Sequence, residues 1–133
     1  MSVFKLLSII VLAALVTGCA GMGEVYVPPN LDSYEGLSES LQRGDKISVY
    51  DVRTADEYVT GHIPGAVNIP HGEIAKALPR RMKRAVIVVY CASGGRSYMA
   101  FEALTEEGYK YLTDFGGIGN WQGELVTGTS PDQ

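Results

Sequence analysis

The amino-acid sequence predicts an α/β fold, with a small and mostly parallel sheet of about five short strands flanked by helices. Two observations support this prediction. Short runs rich in β-branched residues alternate along the 133-residue chain with segments of helical periodicity, a pattern typical of parallel sheets. The run Ala85 to Tyr90 is apolar throughout, as expected of a strand that is covered on both faces.

The first predicted elements are an edge strand and a helix. Val25 to Val27 is predicted to form the edge strand, because β-branched and aromatic residues favour strands. Asn30 or Asp32 is expected to cap the helix through a side-chain oxygen. This helix runs to about Arg43 and ends at Gly44, since glycine readily adopts the backbone conformation that ends a helix.

A strand, a short helix and a further strand are predicted next. Residues 47–51 form a β-rich run. Thr54 and Glu57, three residues apart, match a capping box and predict a short helix that stops at Gly61. Residues 67–69 are another short strand candidate.

The second half of the chain continues the alternation. Its predicted elements are, in order, a helix over 71–78 ended by Pro79, the apolar strand over 85–90, a helix over 97–107 ended by Gly108, a strand over 109–112, and a loop with a short helix over 116–125. No internal repeat interrupts this order, so a single small domain is expected.

The charge balance argues against nucleic acid as a partner. Eleven basic and fifteen acidic side chains give a formal net charge of −4, and an acidic domain is not expected to bind nucleic acid as its main ligand. One basic cluster, interpreted as a solvated helix end, is formed by Arg80, Arg81, Lys83 and Arg84. A docking site for an acidic partner is the alternative interpretation.

Residues 1–18 have the pattern of a bacterial signal peptide. Lys5 precedes a mainly apolar run from Leu6 to Val16, and its eleven positions are too few for a bilayer span, which takes about 20. The sequence Leu15-Val16-Thr17-Gly18-Cys19 resembles a lipobox, which implies cleavage before Cys19 and lipid attachment to it. A retained N-terminal anchor and a buried Cys19 are the alternatives.

These features divide the chain into four parts and predict a location. The predicted parts are a signal peptide over 1–18, a lipid-anchored tether over 19–30, a folded domain over 31–126 and a C-terminal tail over 127–133. Ala20 stands where an aspartate would signal retention at the inner membrane in many Gram-negative bacteria. We therefore expect a periplasmic protein that is anchored to the outer membrane by lipid on Cys19.

Cys91 is the residue most strongly marked for chemistry. Lipidation would use the other of the two cysteines, so no internal disulfide can form in a compartment where disulfides are common. A single thiol in such a compartment is either deeply buried or chemically used. The residues around Cys91 decide between these interpretations.

The segment Cys91-Ala92-Ser93-Gly94-Gly95-Arg96-Ser97 lies between the apolar strand and the following helix. The diglycine allows a tight turn in which N–H groups converge with those at the helix start, and Arg96 adds a permanent cation. These groups favour the thiolate, so the pKa of Cys91 is expected below the value of about 8.5 for free cysteine. The alternatives are a Cys91 that is merely buried and an Arg96 in an ordinary salt bridge.

Three segments, in the right order, resemble the diagnostic stretches of the rhodanese family. The loop from Cys91 to Ser97 is similar to the family's active-site loop. The other two segments are Asp51-Val52-Arg53 followed by Glu57-Tyr58 and the run Gly61 to Pro70, and the glycine–tryptophan segment Gly116 to Trp121. The resemblance covers about residues 31–125 and implies a rhodanese-like fold.

The resemblance also implies a sulfurtransferase activity. Cys91 would attack the outer sulfur of a small anionic donor such as thiosulfate or polysulfide and hold that sulfur as a persulfide. Cyanide or a thiol, with a protein thiol as one candidate, would then accept the sulfur. No metal and no organic cofactor are expected. The implied substrate-binding residues are Ala92, Ser93, Gly94, Gly95, Arg96 and Ser97.

Six further residues are expected to support the site rather than to react; they are Asp51, Arg53, Glu57, His62, Gly117 and Trp121. Arg53 is expected to pair with Glu57. A packing role is favoured for His62 over a general-base role, because persulfide transfer needs no proton abstraction once the thiol is ionised.

Two other functions fit parts of the pattern. Cysteine phosphatases and arsenate reductases of related folds use a similar cup, but those phosphatases place five residues between cysteine and arginine. Four residues lie between Cys91 and Arg96. A non-catalytic, lipid-anchored binding module of the same fold is the other alternative, although inactive relatives often lack the cysteine.

Overall fold

The structure is a computed structural model that describes residues 23–132. The predicted signal peptide, Cys19 and the first part of the predicted tether lie outside the described residues. Within the described range, no helix combines the length and the apolar character that a bilayer span requires.

Four parallel strands form the sheet, in the order β2-β1-β3-β4. They are β1 (Ile47–Asp51), β2 (Val67–Asn68), β3 (Val86–Cys91) and β4 (Tyr111–Gly117). The α/β fold with a parallel sheet is thus confirmed. The predicted edge strand at Val25 to Val27 is wrong: this segment joins no ladder, and Pro28 and Pro29 directly after it have no N–H groups to donate.

The first helix, α1 (Tyr34–Arg43), ends at Gly44 as predicted, with a left-handed φ of 72°. Its cap differs from the prediction. Ser33 takes this role, and its Oγ accepts the N–H of Gly36 at 3.1 Å. Asn30 instead forms the preceding turn with a φ of 58°, and its carbonyl oxygen accepts the N–H of Ser33.

The remaining helices are α2 (Ala55–Thr60), α3 (Ile74–Ala77) and α4 (Gly95–Glu106), with 3₁₀ turns over Arg80–Arg84 and Ile118–Asn120. The capping box of Thr54 and Glu57 is confirmed at α2. Helix α3 is shorter than the predicted helix over 71–78. Helix α4 begins two residues earlier than predicted, immediately after Gly94, so its free N–H groups lie within the cysteine loop.

Two apolar clusters cover the two faces of the sheet, and β3 contributes to both because successive strand residues point to opposite faces. Ile87, Val89 and Cys91 pack with α3 and α4, through residues such as Ile74 and Leu104. The alternate β3 residues pack with α1 and the segment after α2, in a cluster that contains Val86, Val88, Tyr90, Leu37 and Ile63. Burial on both faces explains the apolar sequence of β3.

Candidate active site

Cys91 is the last residue of the central strand β3 and is only 1% exposed. It is a free cysteine. The carboxyl ends of parallel strands meet at one edge of the sheet, so the loops that follow β1, β3 and β4 come together around this thiol. Loop clefts at this edge are the usual ligand-binding positions of open α/β sheets.

The loop after Cys91 turns back so that its backbone faces the sulfur. Gly94 has a φ of 106°, a conformation that side-chain-bearing residues rarely adopt, and its N–H donates to the Cys91 Sγ at 3.0 Å. Helix α4 starts at the next residue, so the positive end of its dipole lies at the sulfur as well. The two glycines therefore permit the tight turn with converging N–H groups that the sequence predicts.

Hydrogen bonds to the sulfur decide the ionisation of Cys91. Burial alone would raise the pKa of the thiol. The Ser97 hydroxyl and the N–H groups of Ser97, Gly94 and Ser93 act in the opposite direction and outweigh burial, so the pKa lies below its usual value. The Ser97 hydroxyl also reaches the carbonyl oxygen of Gly94 at 3.0 Å, and its single proton serves one acceptor at a time.

Arg96 forms a bidentate ion pair with Glu57 at 2.6 and 2.9 Å. Both side chains are about one-third exposed. The guanidinium lowers the pKa of Glu57 to about 2. The Glu57 hydrogen bond raises the pKa of Arg96, and the nearby negative charge of Cys91 adds to this effect. Arg96 thus forms the salt bridge that the sequence analysis gave as its alternative role. Its guanidinium is also close enough to interact electrostatically with the Cys91 thiolate.

The predicted pairing of Arg53 with Glu57 is wrong. Arg53 instead holds Asp51 through contacts of 2.6 to 3.0 Å and donates to the Gly61 carbonyl oxygen at 2.7 Å. The two side chains are 7% and 0% exposed. The Asn68 amide donates to the carbonyl oxygens of Asp51 and Arg53 and closes the arrangement. This buried pair ties the end of β1 to the turn that begins at Gly61.

His62 is fully buried, and its contacts are those of a packing residue. One ring nitrogen lies 3.0 Å from the Tyr58 carbonyl oxygen, and the other lies 3.0 Å from that of Ser130 and 3.3 Å from that of Pro131. The imidazole also stacks on the Tyr58 ring at 3.7 Å. Residues predicted as the C-terminal tail therefore lie against His62 and α2.

Gly117 packs directly against the cysteine loop. The β3–β4 register shifts between Val89 and Tyr90, so that Gly116, with a φ of 85°, stands opposite Tyr90 and Gly117 opposite Cys91. A Cβ on Gly117 would lie 2.8 Å from the Ala92 carbonyl oxygen. Only glycine leaves room for the loop at this distance.

Trp121 lies farther along the same segment and packs on helix α1. Its ring meets that of Tyr34 edge-on at 5.1 Å, and its indole N–H donates to the Glu124 carbonyl oxygen at 3.0 Å. These contacts fix the segment after β4, and they give Trp121 an anchoring role there.

Two polar residues that hold this segment were missed by the sequence analysis. The Asp114 carboxylate accepts the N–H of Gly116 at 2.9 Å, and the Asn120 amide donates to the Phe115 carbonyl oxygen at 3.1 Å. An aspartate two residues before a diglycine is a turn signal that sequence reasoning can use. Tyr90, whose hydroxyl accepts the N–H of Ile63 at 3.0 Å, carries no comparable signal.

The Rhodanese-like domain family matches residues 33–124 of the chain. This range includes the whole sheet, the cysteine loop and the glycine–tryptophan segment. The chain belongs to the rhodanese-like domain family.

Several relatives of this rhodanese-like domain carry names that describe sulfur chemistry. The putative sulfurtransferase YtwF of Bacillus subtilis is 34% identical over 92 residues, which are 69% of this chain and 89% of YtwF. The thiosulfate sulfurtransferase PspE of Escherichia coli is 40% identical over 72 residues, 51% of this chain and 67% of PspE. The match to the putative sulfur carrier protein YrkF of B. subtilis, 32% identical, spans only half of that protein.

Solved structures agree with this rhodanese-like fold. A rhodanese-like domain protein from Staphylococcus aureus is 30% identical with a TM-score of 0.63, over 72% of this chain and 95% of that chain. A rhodanese from E. coli, solved with anions, is 35% identical with a TM-score of 0.54, over 61% and 98%. The rhodanese-like fold predicted from the three motifs is confirmed.

Proposed function

We propose that this rhodanese-like domain is a sulfurtransferase that carries sulfane sulfur on Cys91. The observation that supports this most directly is the buried, free Cys91 sulfur with the Gly94 N–H at 3.0 Å and the Ser97 hydroxyl and α4 N-terminus beside it. Such an arrangement stabilises negative charge on a sulfur atom. Relatives named as sulfurtransferases share this family, at identities of 34 to 40%.

The proposed reaction is a double displacement. The Cys91 thiolate attacks the outer sulfur of thiosulfate, the sulfur–sulfur bond of the donor breaks, and sulfite leaves with the bonding electrons. A thiolate acceptor then attacks the outer sulfur of the Cys91 persulfide, becomes a persulfide itself and regenerates the Cys91 thiolate; cyanide would give thiocyanate. The loop N–H groups stabilise the negative charge that the outer sulfur carries between the two steps.

Mass spectrometry of the Cys91 peptide tests the first step. After reduction and then treatment with thiosulfate, the wild-type peptide is expected to gain one sulfur atom, which cyanide removes as thiocyanate. Cys91→Ser should gain none. No gain from thiosulfate, polysulfide or a persulfide donor would refute the proposal and favour a non-catalytic module.

An aryl phosphate supplies the matched test of the phosphatase alternative. The rhodanese-like domain is expected to leave it intact, because the Arg96 guanidinium is already paired with Glu57 and the loop between Cys91 and Arg96 holds four residues. Turnover that requires Cys91, in the absence of sulfur uptake, would instead assign a phosphatase.

We further propose that the chain is a lipoprotein anchored at Cys19 on the periplasmic side of the outer membrane. The N-terminal sequence alone supports this proposal, through the apolar run that ends just before Cys19. Metabolic labelling with a fatty acid should mark the wild type and not Cys19→Ala. Membrane fractionation should place the label with the outer membrane, and a wild type that is unlabelled and found in the soluble fraction would contradict the proposal.

A further inference from the structure

A pocket of about 650 Å³ lies at the end of the sheet opposite Cys91. Val86, the first residue of β3, forms part of its wall, and Val25 and Tyr26 form another part. Three basic residues line it as well, namely Lys46, Arg81 and Arg84. The proposed sulfur-transfer reaction uses none of these residues.

The pocket combines positive charge with exposed apolar side chains. Lys46 and Arg81 are exposed, and the Arg84 guanidinium donates to the Gly23 carbonyl oxygen at 3.3 Å. Glu24 is the single acidic residue of segment 23–27. In the same segment Tyr26 is 65% exposed and Val27 is 43% exposed. Cations beside an exposed aromatic ring are typical of surfaces that lie at the headgroup level of a membrane.

The proximity of the N-terminal anchor identifies the partner. Cys19, the predicted lipidation site, is four residues before Gly23, and four extended residues span at most about 14 Å. If the apolar run up to Val16 is retained as an anchor instead, seven residues span at most about 25 Å. With either kind of anchor the pocket is held close to a bilayer surface, where basic residues are attracted to anionic lipids.

We propose that this pocket binds the headgroups of anionic phospholipids in the membrane that anchors the chain. The proposal rests on the predicted anchor and is independent of sulfur transfer. It also fixes an orientation, because Lys46 precedes β1 and Cys91 ends the parallel strand β3, about 20 Å away along the strand direction. With the pocket on the bilayer, the cysteine loop opens away from the membrane toward incoming donors.

Tryptophan fluorescence in vesicles tests this orientation. The lipidated full chain is reconstituted in vesicles of phosphatidylcholine, with or without phosphatidylglycerol, that contain a lipid with a quencher on its headgroup. Trp121, the single tryptophan, reports on the segment after β4. A second protein, with Tyr26→Trp and Trp121→Phe, reports on the pocket.

We expect phosphatidylglycerol to increase the quenching of the tryptophan at position 26 several-fold. In the same vesicles, the quenching of Trp121 should remain several-fold weaker. Lys46→Gln with Arg81→Gln should reduce the signal at position 26 to the level measured in phosphatidylcholine alone. Lys76→Gln with Lys110→Gln removes the same charge from residues that do not line the pocket, and it should have no effect. The two variants that lose basic residues, at positions 46 and 81 and at positions 76 and 110, should retain sulfur transfer.

Three results would overturn the proposal. The first is equal quenching at positions 26 and 121 whether or not phosphatidylglycerol is present. The second is a wild-type chain that fails to associate with membranes at all. The third is protection of Lys46 and Arg81 from chemical labelling in cell envelopes but not in protein-free vesicles of both lipids, which would assign the pocket to an acidic protein partner.

Discussion

The segments that follow β1 and β3 start at the same edge of the sheet but stabilise charge in different ways. At the end of β1, the Asp51 carboxylate is neutralised by the Arg53 side chain, and both side chains are buried and hydrogen-bonded. At the end of β3, the charge on the Cys91 sulfur is stabilised mainly by N–H groups and one hydroxyl. Arg96, the cationic residue of the loop from Cys91 to Ser97, is paired with Glu57 at the surface.

This difference separates a structural role from a chemical one. The donors and acceptors of a buried ion pair that is fully hydrogen-bonded within the protein are not available to a ligand. The Asp51–Arg53 pair therefore supports the fold. N–H groups stabilise negative charge by hydrogen bonding and are unchanged by the reaction. They can therefore also stabilise the outer sulfur of a Cys91 persulfide. Four substitutions test this comparison, from the largest expected effect to the smallest.

Asp51→Asn should cause the largest loss of stability. It leaves the Arg53 guanidinium buried without its counter-charge, which typically costs about 3–5 kcal/mol of the free energy of unfolding. Urea unfolding measures the loss. Asp45→Asn, which weakens the partly exposed pair with Arg43, is the control and should cost far less. Similar losses in the two variants would show that burial of the Asp51 pair has no structural importance.

Gly117→Ala should move the cysteine loop. The added methyl group would lie 2.8 Å from the Ala92 carbonyl oxygen, and such overpacking costs about 1–3 kcal/mol. The sulfur-transfer rate should fall even under conditions where the variant is fully folded, because the displaced backbone carries the N–H groups that face Cys91. Gly119→Ala is the matched control, since open space surrounds that position. Full activity in Gly117→Ala would contradict the tight packing.

Ser97→Ala should raise the pKa of Cys91, because it removes the strongest of the hydrogen bonds that lower it. Less thiolate is then present at neutral pH, and the transfer rate should fall about tenfold, as expected for loss of a hydrogen bond to a charged group. The pH dependence of Cys91 alkylation measures the shift. Ser93→Ala keeps its backbone N–H and should alkylate like the wild type.

Glu57→Gln should have the smallest effect on stability, below about 1 kcal/mol, because the pair with Arg96 is partly exposed and glutamine preserves the helix cap. The pKa of Glu57 is about 2 in the folded protein and 4.5 when unperturbed. The contribution of the pair is therefore complete above pH 4.5 and disappears as the pH falls toward 2. Acid unfolding of the two proteins should show this convergence.

The same substitution should increase the affinity for thiosulfate a few-fold, because the freed Arg96 guanidinium can bind an anion. Steady-state kinetics would record a lower KM. Asp56→Asn removes the same charge from the exposed neighbouring position and should leave the KM unchanged. An unchanged KM in Glu57→Gln would show that Arg96 does not contact the donor.

Local signals account for the parts of the fold that the sequence predicted well. The apolar run before Cys91, the capping box at Thr54 and the glycine after Arg43 each act within a few residues, and each formed the predicted element. The cap at Ser33 was missed because Asn30, Asp32 and Ser33 all have suitable side chains. The turn at Asn30 selects among them, and a single residue's propensity does not reveal that turn.

Long-range pairing accounts for what was missed in the candidate site. Glu57 and Arg96 are 39 residues apart, and Arg53 is much nearer to Glu57 in sequence. Strand β4 extends to Gly117 only through a register shift against β3, which depends on the neighbouring strand. The predicted edge strand at Val25 to Val27 had suitable residues but found no partner. Propensity alone could not distinguish these outcomes.

The His62 ring has a practical consequence for work with this protein. Because one nitrogen of this ring contacts the carbonyl oxygens of Ser130 and Pro131, a fusion partner added after Asp132 would be attached beside α2. An expression boundary placed at residue 126 would deprive the buried imidazole of two of its acceptors. Reporter tags and truncations should therefore spare the last few residues before Asp132.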